Sequence, residues 1–204
     1  MAKKLAHQVN ITVLYVPAPA SDHGPAPSRR WLRRVALSGI RSAVLARECL
    51  GDSPVQMGLV ITDDDTLRRL NQEYRGADEV TDVLSFAWDH EGHWEGEDEP
   101  PPSGATEVPW PADATLVQDH HPLGEVVISY PQARRQAEAR GADTEDELAL
   151  LIVHGVLHLA GFDHLEPEEE AQMKAREAEA LRGIRKNSSK DASRSTVPMV
   201  EMKP

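Results

Sequence analysis

The sequence predicts one α/β (α+β) domain over residues 1–183, built as a mixed four-stranded sheet packed with helices. Three observations lead there. Strand-like and helix-like periodicities follow one another in the order β-α-β-α-β-β-α-α-α. One helical run, from residue 144 to about 160, is apolar nearly all round and therefore belongs at the centre of the packing. The chain has 204 residues, 40% hydrophobic and 27% charged, which suffices for one core with tails.

Residues 9–16 (VNITVLYV) alternate and are rich in β-branched side chains, the signature of a strand. The PAPASDHGPAPS stretch after them has no periodicity and marks a loop. From residue 29 to about 50 the spacing is helical, through Trp31, Leu32, Val35, Ile40, Val44 and Leu45, and Gly51-Asp52 ends it. Residues 55–62 form a second strand. Asp63 or Thr62 caps a helix running to about residue 74, with Leu67 and Leu70 turned inward. Residues 80–88 (VTDVLSFAW) and 123–130 (LGEVVISY) are the third and fourth strands. Between them, residues 89–122 are acidic and Pro-rich, cannot build a core, and are expected as a long surface insertion. Pro131 suits the first turn of a helix over 131–140, ended by Gly141. Thr144-Glu145-Asp146-Glu147 has the form of a capping box opening the apolar helix, which Gly161 closes. Residues 167–183 make an acidic, Ala-rich last helix, and 184–204 are expected as a disordered tail.

Charge narrows the partners less than it first suggests. The formal net charge is −12, yet residues 89–121 hold nine acids and no Lys or Arg, leaving the remainder near −3. The acidity thus belongs to the insertion, and a polyanionic partner is not excluded elsewhere. No run approaches the roughly 20 apolar residues of a membrane span. Met1-Ala2-Lys3-Lys4-Leu5 leads into no apolar stretch, so no signal peptide is expected. Cys49 is the sole cysteine and lies in an apolar-periodic run. It is expected as a small core residue, with no internal disulfide, in a cytoplasmic protein.

The chemistry is carried by HGVLHLAGFDH, residues 154–164. His154 and His158 are four apart on the apolar helix, so their imidazoles project from one face about a turn apart. Gly161 lets the backbone leave the helix, and the turn brings His164 round as a third ligand. Three imidazoles leave a fourth position open, the arrangement of catalytic zinc, with one ion expected per chain. A lone histidine on an apolar helix is ordinarily a satisfied core residue, whereas three at H-x3-H-x5-H with glycine at the break suit few other uses. The spacing also matches the zinc-protease pattern H-E-x-x-H-x-x-G-x-x-H. Gly155 stands where those proteases carry the glutamate that acts as general base. Peptide hydrolysis by that route is therefore not expected.

These residues resemble a known family. HGVLHLAGFDH is similar to the H-G-x-L-H-L-x-G-y-D-H signature of the YbeY endoribonucleases. Leu70-Asn71-Gln72-Glu73-Tyr74-Arg75 with Thr81-Asp82-Val83-Leu84-Ser85-Phe86 resembles that family's N-x-x-Y-R and T-[DN]-V-L-S-F blocks. Leu123-Gly124-Glu125-Val126-Val127-Ile128-Ser129 resembles its L-G-D-I-x-I-S strand. The blocks keep the family's order over about residues 55–183. The resemblance implies a zincin-like fold and zinc on His154, His158 and His164. It also implies cleavage of single-stranded RNA in maturation of the small-subunit rRNA 3′ end and in ribosome quality control, with ribosomal RNA and small-subunit components as partners. It assigns Arg75 and His154 to catalysis. A guanidinium can hold a phosphate bidentately; by the residues alone, Arg75 equally suits a helix C-terminal arginine satisfying carbonyls. A reading of another class makes the metal structural and the chain a ribosome-assembly factor without turnover.

Other residues remain open between scaffold and site. Val83, Leu84 and Phe86 suit the core, while Thr81, Asp82 and Ser85 orient backbone or line the cleft. Asp163 is a turn residue or a partner of a ligand histidine, and Asn71 is equally open. Ala87 replaces a frequent family proline, and Glu125 replaces the usual aspartate. His90, His93, His120 and His121 sit in the Pro-rich insertion or at its end, where solvated surface is expected rather than a second metal site. Arg29, Arg30, Arg33, Arg34, Arg41 and Arg47 offer a basic helix face, either for RNA phosphates or simply for solvent.

Overall fold

A computed structural model describes residues 9–16, 26–46, 54–88 and 120–194, with side chains left out at 44–46, 121 and 185–194. The elements are β1 (Val9–Tyr15), α1 (Arg29–Ala46), β2 (Val55–Thr62), α2 (Asp64–Arg75), β3 (Val83–Ala87), β4 (His121–Ser129), α3 (Tyr130–Arg140), α4 (Thr144–Leu159) and α5 (Pro167–Arg194). This is the expected element order and the expected mixed α/β sheet.

The four strands run in the order β1-β2-β4-β3. β1, β2 and β4 are parallel, and β3 closes one edge antiparallel to β4, with Ser85 opposite Val126 and Ala87 opposite Gly124. Every residue of β2 is buried, as its nearly continuous apolar run VQMGLVIT requires of a strand covered on both faces. On one face α1, α4 and α5 enclose the main core, which includes Leu32, Ile40, Leu59, Val126, Ile128, Leu148, Ile152, Val156, Leu157 and Met173. On the other face α2 covers a smaller cluster of Val60, Leu67, Leu70, Tyr74, Leu84 and Val127. The alternation Val126, Val127, Ile128 between the two clusters is the period-2 pleat of β4.

Local chemistry sets the boundaries. Asp63 caps α2, its carboxylate accepting the Thr66 N–H at 2.9 Å. Ser129 caps α3 by accepting the Gln132 N–H at 3.1 Å, with Pro131 in the first turn. β3 begins at Val83 rather than residue 80 because Asp82 turns the chain. Its Oδ1 accepts the Val83 N–H at 2.9 Å, its Oδ2 takes Gln136 Nε2 at 3.0 Å, and its carbonyl accepts the Ser129 N–H at 3.0 Å.

Two expectations are corrected. The capping box at Thr144 does not form: Asp143 is the N-cap, without a side-chain bond. Glu147 is instead buried and receives Arg140 Nη1 on both carboxylate oxygens, at 3.0 and 2.8 Å. The last helix does not stop at residue 183 but continues to Arg194, and Ile184 is buried in the main core. Neither glycine nor proline interrupts residues 184–194, and Ile184 prolongs the apolar stripe of Met173 and Ala180. Residues 195–204, Arg47, Cys49, and residues 89–119 of the insertion with His90 and His93, lie outside the described residues. Among the described residues no helix is long and apolar enough to cross a membrane.

Candidate metal centre

The three histidines converge, as their spacing predicts. α4 places His154 and His158 on one face, with their Nε2 atoms 3.1 Å apart. The helix then ends in a Schellman turn. Gly161, at φ 78°, donates its N–H to the His158 carbonyl at 2.8 Å, and Phe162 N–H reaches the Leu157 carbonyl at 3.0 Å. Phe162 is buried, which anchors the turn, and Asp163 Oδ1 accepts the His164 N–H at 2.7 Å. His164 thereby stacks at 5.5 Å between ring centroids over His154 and meets His158 edge-on at 5.0 Å. One nitrogen from each ring lies within 4.8 Å of the other two. Asp163 is thus the turn residue of its two open readings.

The donor set fits a divalent transition metal. Two imidazole nitrogens at about 2.0–2.1 Å from a tetrahedral ion stand about 3.4 Å apart, close to the 3.1 Å separation of the His154 and His158 nitrogens. The pKa of His158 is pushed down to about 4, first by burial and then by the imidazoles of His154 and His164, against the opposing pull of Asp163 and the Phe162 backbone. A neutral ring is the form that ligates. His154 and His158 are half-buried and His164 is exposed, so the cluster opens toward solvent on the His164 side.

Sequence reasoning missed one residue. Glu177 of α5 places Oε1 2.8 Å from Nδ1 of His154, on the far side of the ring from His158. Its side chain is only 15% exposed. The signal was present: Met173, Ala180 and Ile184 form the buried stripe of α5, and Glu177 lies on it at helical spacing.

Gly155, at the protease-glutamate position, points at the sheet and away from any open cleft. A Cβ there would stand 2.6 Å from Val126 Cγ1 and 3.0 Å from Ser85 Oγ. Ser85 Oγ donates to the Gly155 carbonyl at 3.3 Å, fastening β3 to α4. Asn71 is buried and donates to the Glu79 carbonyl at 3.0 Å, so it and Asp82 order backbone.

Arg75 is exposed in the last turn of α2. The neighbouring Tyr74 packs edge-on against Phe86 of β3, centroids 5.0 Å apart. α2 and α4 therefore meet opposite faces of the same edge strand. On α1, Arg33 Nε donates to the Ile11 carbonyl at 3.0 Å and Arg29 lies 5.4 Å over the Tyr15 ring. Of the five described arginines in that set, Arg29 and Arg33 thus hold α1 to β1.

The family model described as Endoribonuclease YbeY matches residues 30–185. An endoribonuclease YbeY of a Roseiflexus species is 45% identical over 132 residues, 64% of this chain and 71% of the relative. That of Dehalococcoides mccartyi is 39% identical over 159 residues, 78% of this chain and 86% of the relative. In fold, the chain is similar to the solution structure of TM1509 from Thermotoga maritima, with a TM-score of 0.51 at 19% identity, covering 94% of this chain and 99% of that one. With the family model spanning most of the domain and relatives matched over most of their length, the chain belongs to the YbeY endoribonuclease family.

Proposed function

We propose that this chain is a zinc-dependent, single-strand-specific endoribonuclease of the cytoplasm, acting in maturation of the small-subunit rRNA 3′ end and in ribosome quality control. The observation that carries the reading is the convergence of His154, His158 and His164, whose nitrogens lie within 4.8 Å of one another. Three ligands among the described residues, one of them exposed, match an open catalytic site rather than a closed structural one with four protein ligands. Zinc held there supplies a Lewis acid for phosphodiester cleavage.

The remaining work falls to the chain's own side chains. His154 and His158 present ring nitrogens from one face of α4, and His164 completes the set from a turn anchored by Phe162. Arg75 binds the scissile phosphate and neutralises the charge that builds on it. The contact of Tyr74 with Phe86 supports this role by tying the C-terminal turn of α2 to the strand that Ser85 fastens to α4. The absence of room for a carboxylate at Gly155 argues against peptidase chemistry.

Cleavage of a labelled single-stranded rRNA fragment by protein of measured zinc content tests the reading. Wild type should cut; the His154→Ala/His158→Ala double variant and Arg75→Ala should not, while remaining folded. Equal cleavage by the metal-free double variant would refute it. Binding of small-subunit precursors without turnover by zinc-loaded wild type would favour the assembly-factor reading with a structural metal.

A further inference from the structure

We infer that Glu177 is a positioning residue. Its carboxylate accepts the Nδ1–H of His154, holding the ring in the one tautomer that turns the Nε2 lone pair into the metal site. The inference rests on the metal reading above and adds a residue from a different element of the fold.

Four observations carry it. Oε1 of Glu177 lies 2.8 Å from Nδ1 of His154, a hydrogen-bonding distance, while Nε2 of the same ring faces His158 Nε2 at 3.1 Å. The two ring nitrogens therefore have separate partners, and a proton on Nδ1 leaves Nε2 free to ligate. Glu177 sits on the buried stripe of α5 and is 15% exposed, a costly place for a carboxylate that had no task. The helix that presents it is held in position on both sides of Glu177. Ser42 Oγ donates to the Arg176 carbonyl and Ser38 Oγ to the Ala180 carbonyl, each at 2.9 Å. These side-chain bonds from α1 fix the height of α5 over α4 at the turn that carries Glu177. The other acids whose contacts are defined nearby on α5 are directed elsewhere: Glu170 pairs with Lys174, and Glu179 with Arg176.

A carboxylate behind a ligand histidine also makes the imidazole a better donor, and loss of such a partner typically weakens metal binding by about 10–100-fold. Zinc affinity of the full chain, read by competition with a chromophoric chelator, should therefore fall about 10–100-fold in Glu177→Ala. It should fall less in Glu177→Gln, whose amide oxygen still accepts the Nδ1–H, and stay at the wild-type value in Glu168→Ala. Long-range 1H–15N correlation spectra of the metal-free protein should show His154 protonated at Nδ1 in wild type and a tautomer mixture in Glu177→Ala. A purely structural loss would not produce that mixture in a chain of unchanged circular dichroism. Equal zinc affinity in wild type and Glu177→Ala, or a wild-type His154 protonated at Nε2, would overturn the inference and leave the metal reading standing. A wild type that binds no zinc would remove both.

Discussion

Adding one methyl group at position 155 asks whether this glycine is required by packing or merely stands where a protease keeps its base. The Cβ of Gly155→Ala would lie 2.6 Å from Val126 Cγ1, 3.1 Å from Val126 Cγ2 and 3.0 Å from Ser85 Oγ. Val126 is fully buried on a central strand, and its branched side chain has little rotamer freedom with which to retreat. Overpacking of this kind costs about 1–3 kcal/mol. A 2.6 Å approach belongs in the upper part of that range, about 2–3 kcal/mol. Replacing glycine by alanine inside a helix returns about 1 kcal/mol, so the net loss is about 1–2 kcal/mol. For a chain of this size that lowers Tm by roughly 2–8 °C. Chelator-treated protein is the right sample, because bound metal would add its own stabilisation. Gly155→Glu should be far worse, since its carboxylate would be driven between α4 and the sheet without a partner, at several kcal/mol more. A Gly155→Ala protein as stable as wild type would refute the packing argument. So would a folded Gly155→Glu protein that hydrolyses peptides.

Three further outcomes are expected. Zinc at about 100 times its Kd should raise the stability of the wild-type chain by about 2.7 kcal/mol, visible as an upward shift in thermal melting that His154→Ala/His158→Ala abolishes. Arg140→Ala should cost about 1–3 kcal/mol in urea denaturation, because the buried Glu147 loses both of its hydrogen bonds from Nη1; the figure is kept low because the Arg140 side chain is 55% exposed. Glu147→Gln in the Arg140→Ala background should recover part of that loss. Arg75→Ala should lower RNA cleavage by about 10²–10³ while leaving zinc affinity and Tm near wild type, and a parallel loss of stability would mark the arginine as a helix-end residue instead.

The parts of the molecule that were legible are those governed by neighbours in the chain. The strand at residues 55–62 was readable because its β-branched and apolar run is bounded by turn residues, and α2 because Asp63 caps it. The histidine cluster was legible for the same reason. Its geometry follows from a four-residue step on a helix and a glycine turn, both set within eleven residues. What failed was decided across the fold. Thr144 and Glu147 have the form of a capping box, yet the Arg140 guanidinium competes for the Glu147 carboxylate and wins, because burial makes a charged partner worth more than a backbone N–H. The end of α5 was misplaced because polar residues after 183 resemble a tail, whereas Ile184 is buried in the main core. The placement of β3 at the sheet edge, antiparallel, follows from no local pattern in VLSFA.

This division also orders the metal centre itself. His154, His158 and His164 belong to one helix and its exit turn, so their approximate convergence needs little beyond α4 being helical. Approximate convergence is not a ligand set, however. Each imidazole has two nitrogens, and within residues 154–164 the contact between the His154 and His158 Nε2 atoms is compatible with either tautomer of His154. The choice comes from α5, through Glu177, and α5 is positioned by Ser38 and Ser42 of α1. On the opposite side, the Ser85 hydroxyl and the missing side chain at Gly155 let α4 sit directly on β3 and β4. The same contact that removes a protease-style base therefore fixes the height of the histidines over the edge strand. Precision at the site is thus a tertiary property laid over a local motif. A fragment carrying the eleven-residue motif alone would keep the ligands and lose the selection among their nitrogens.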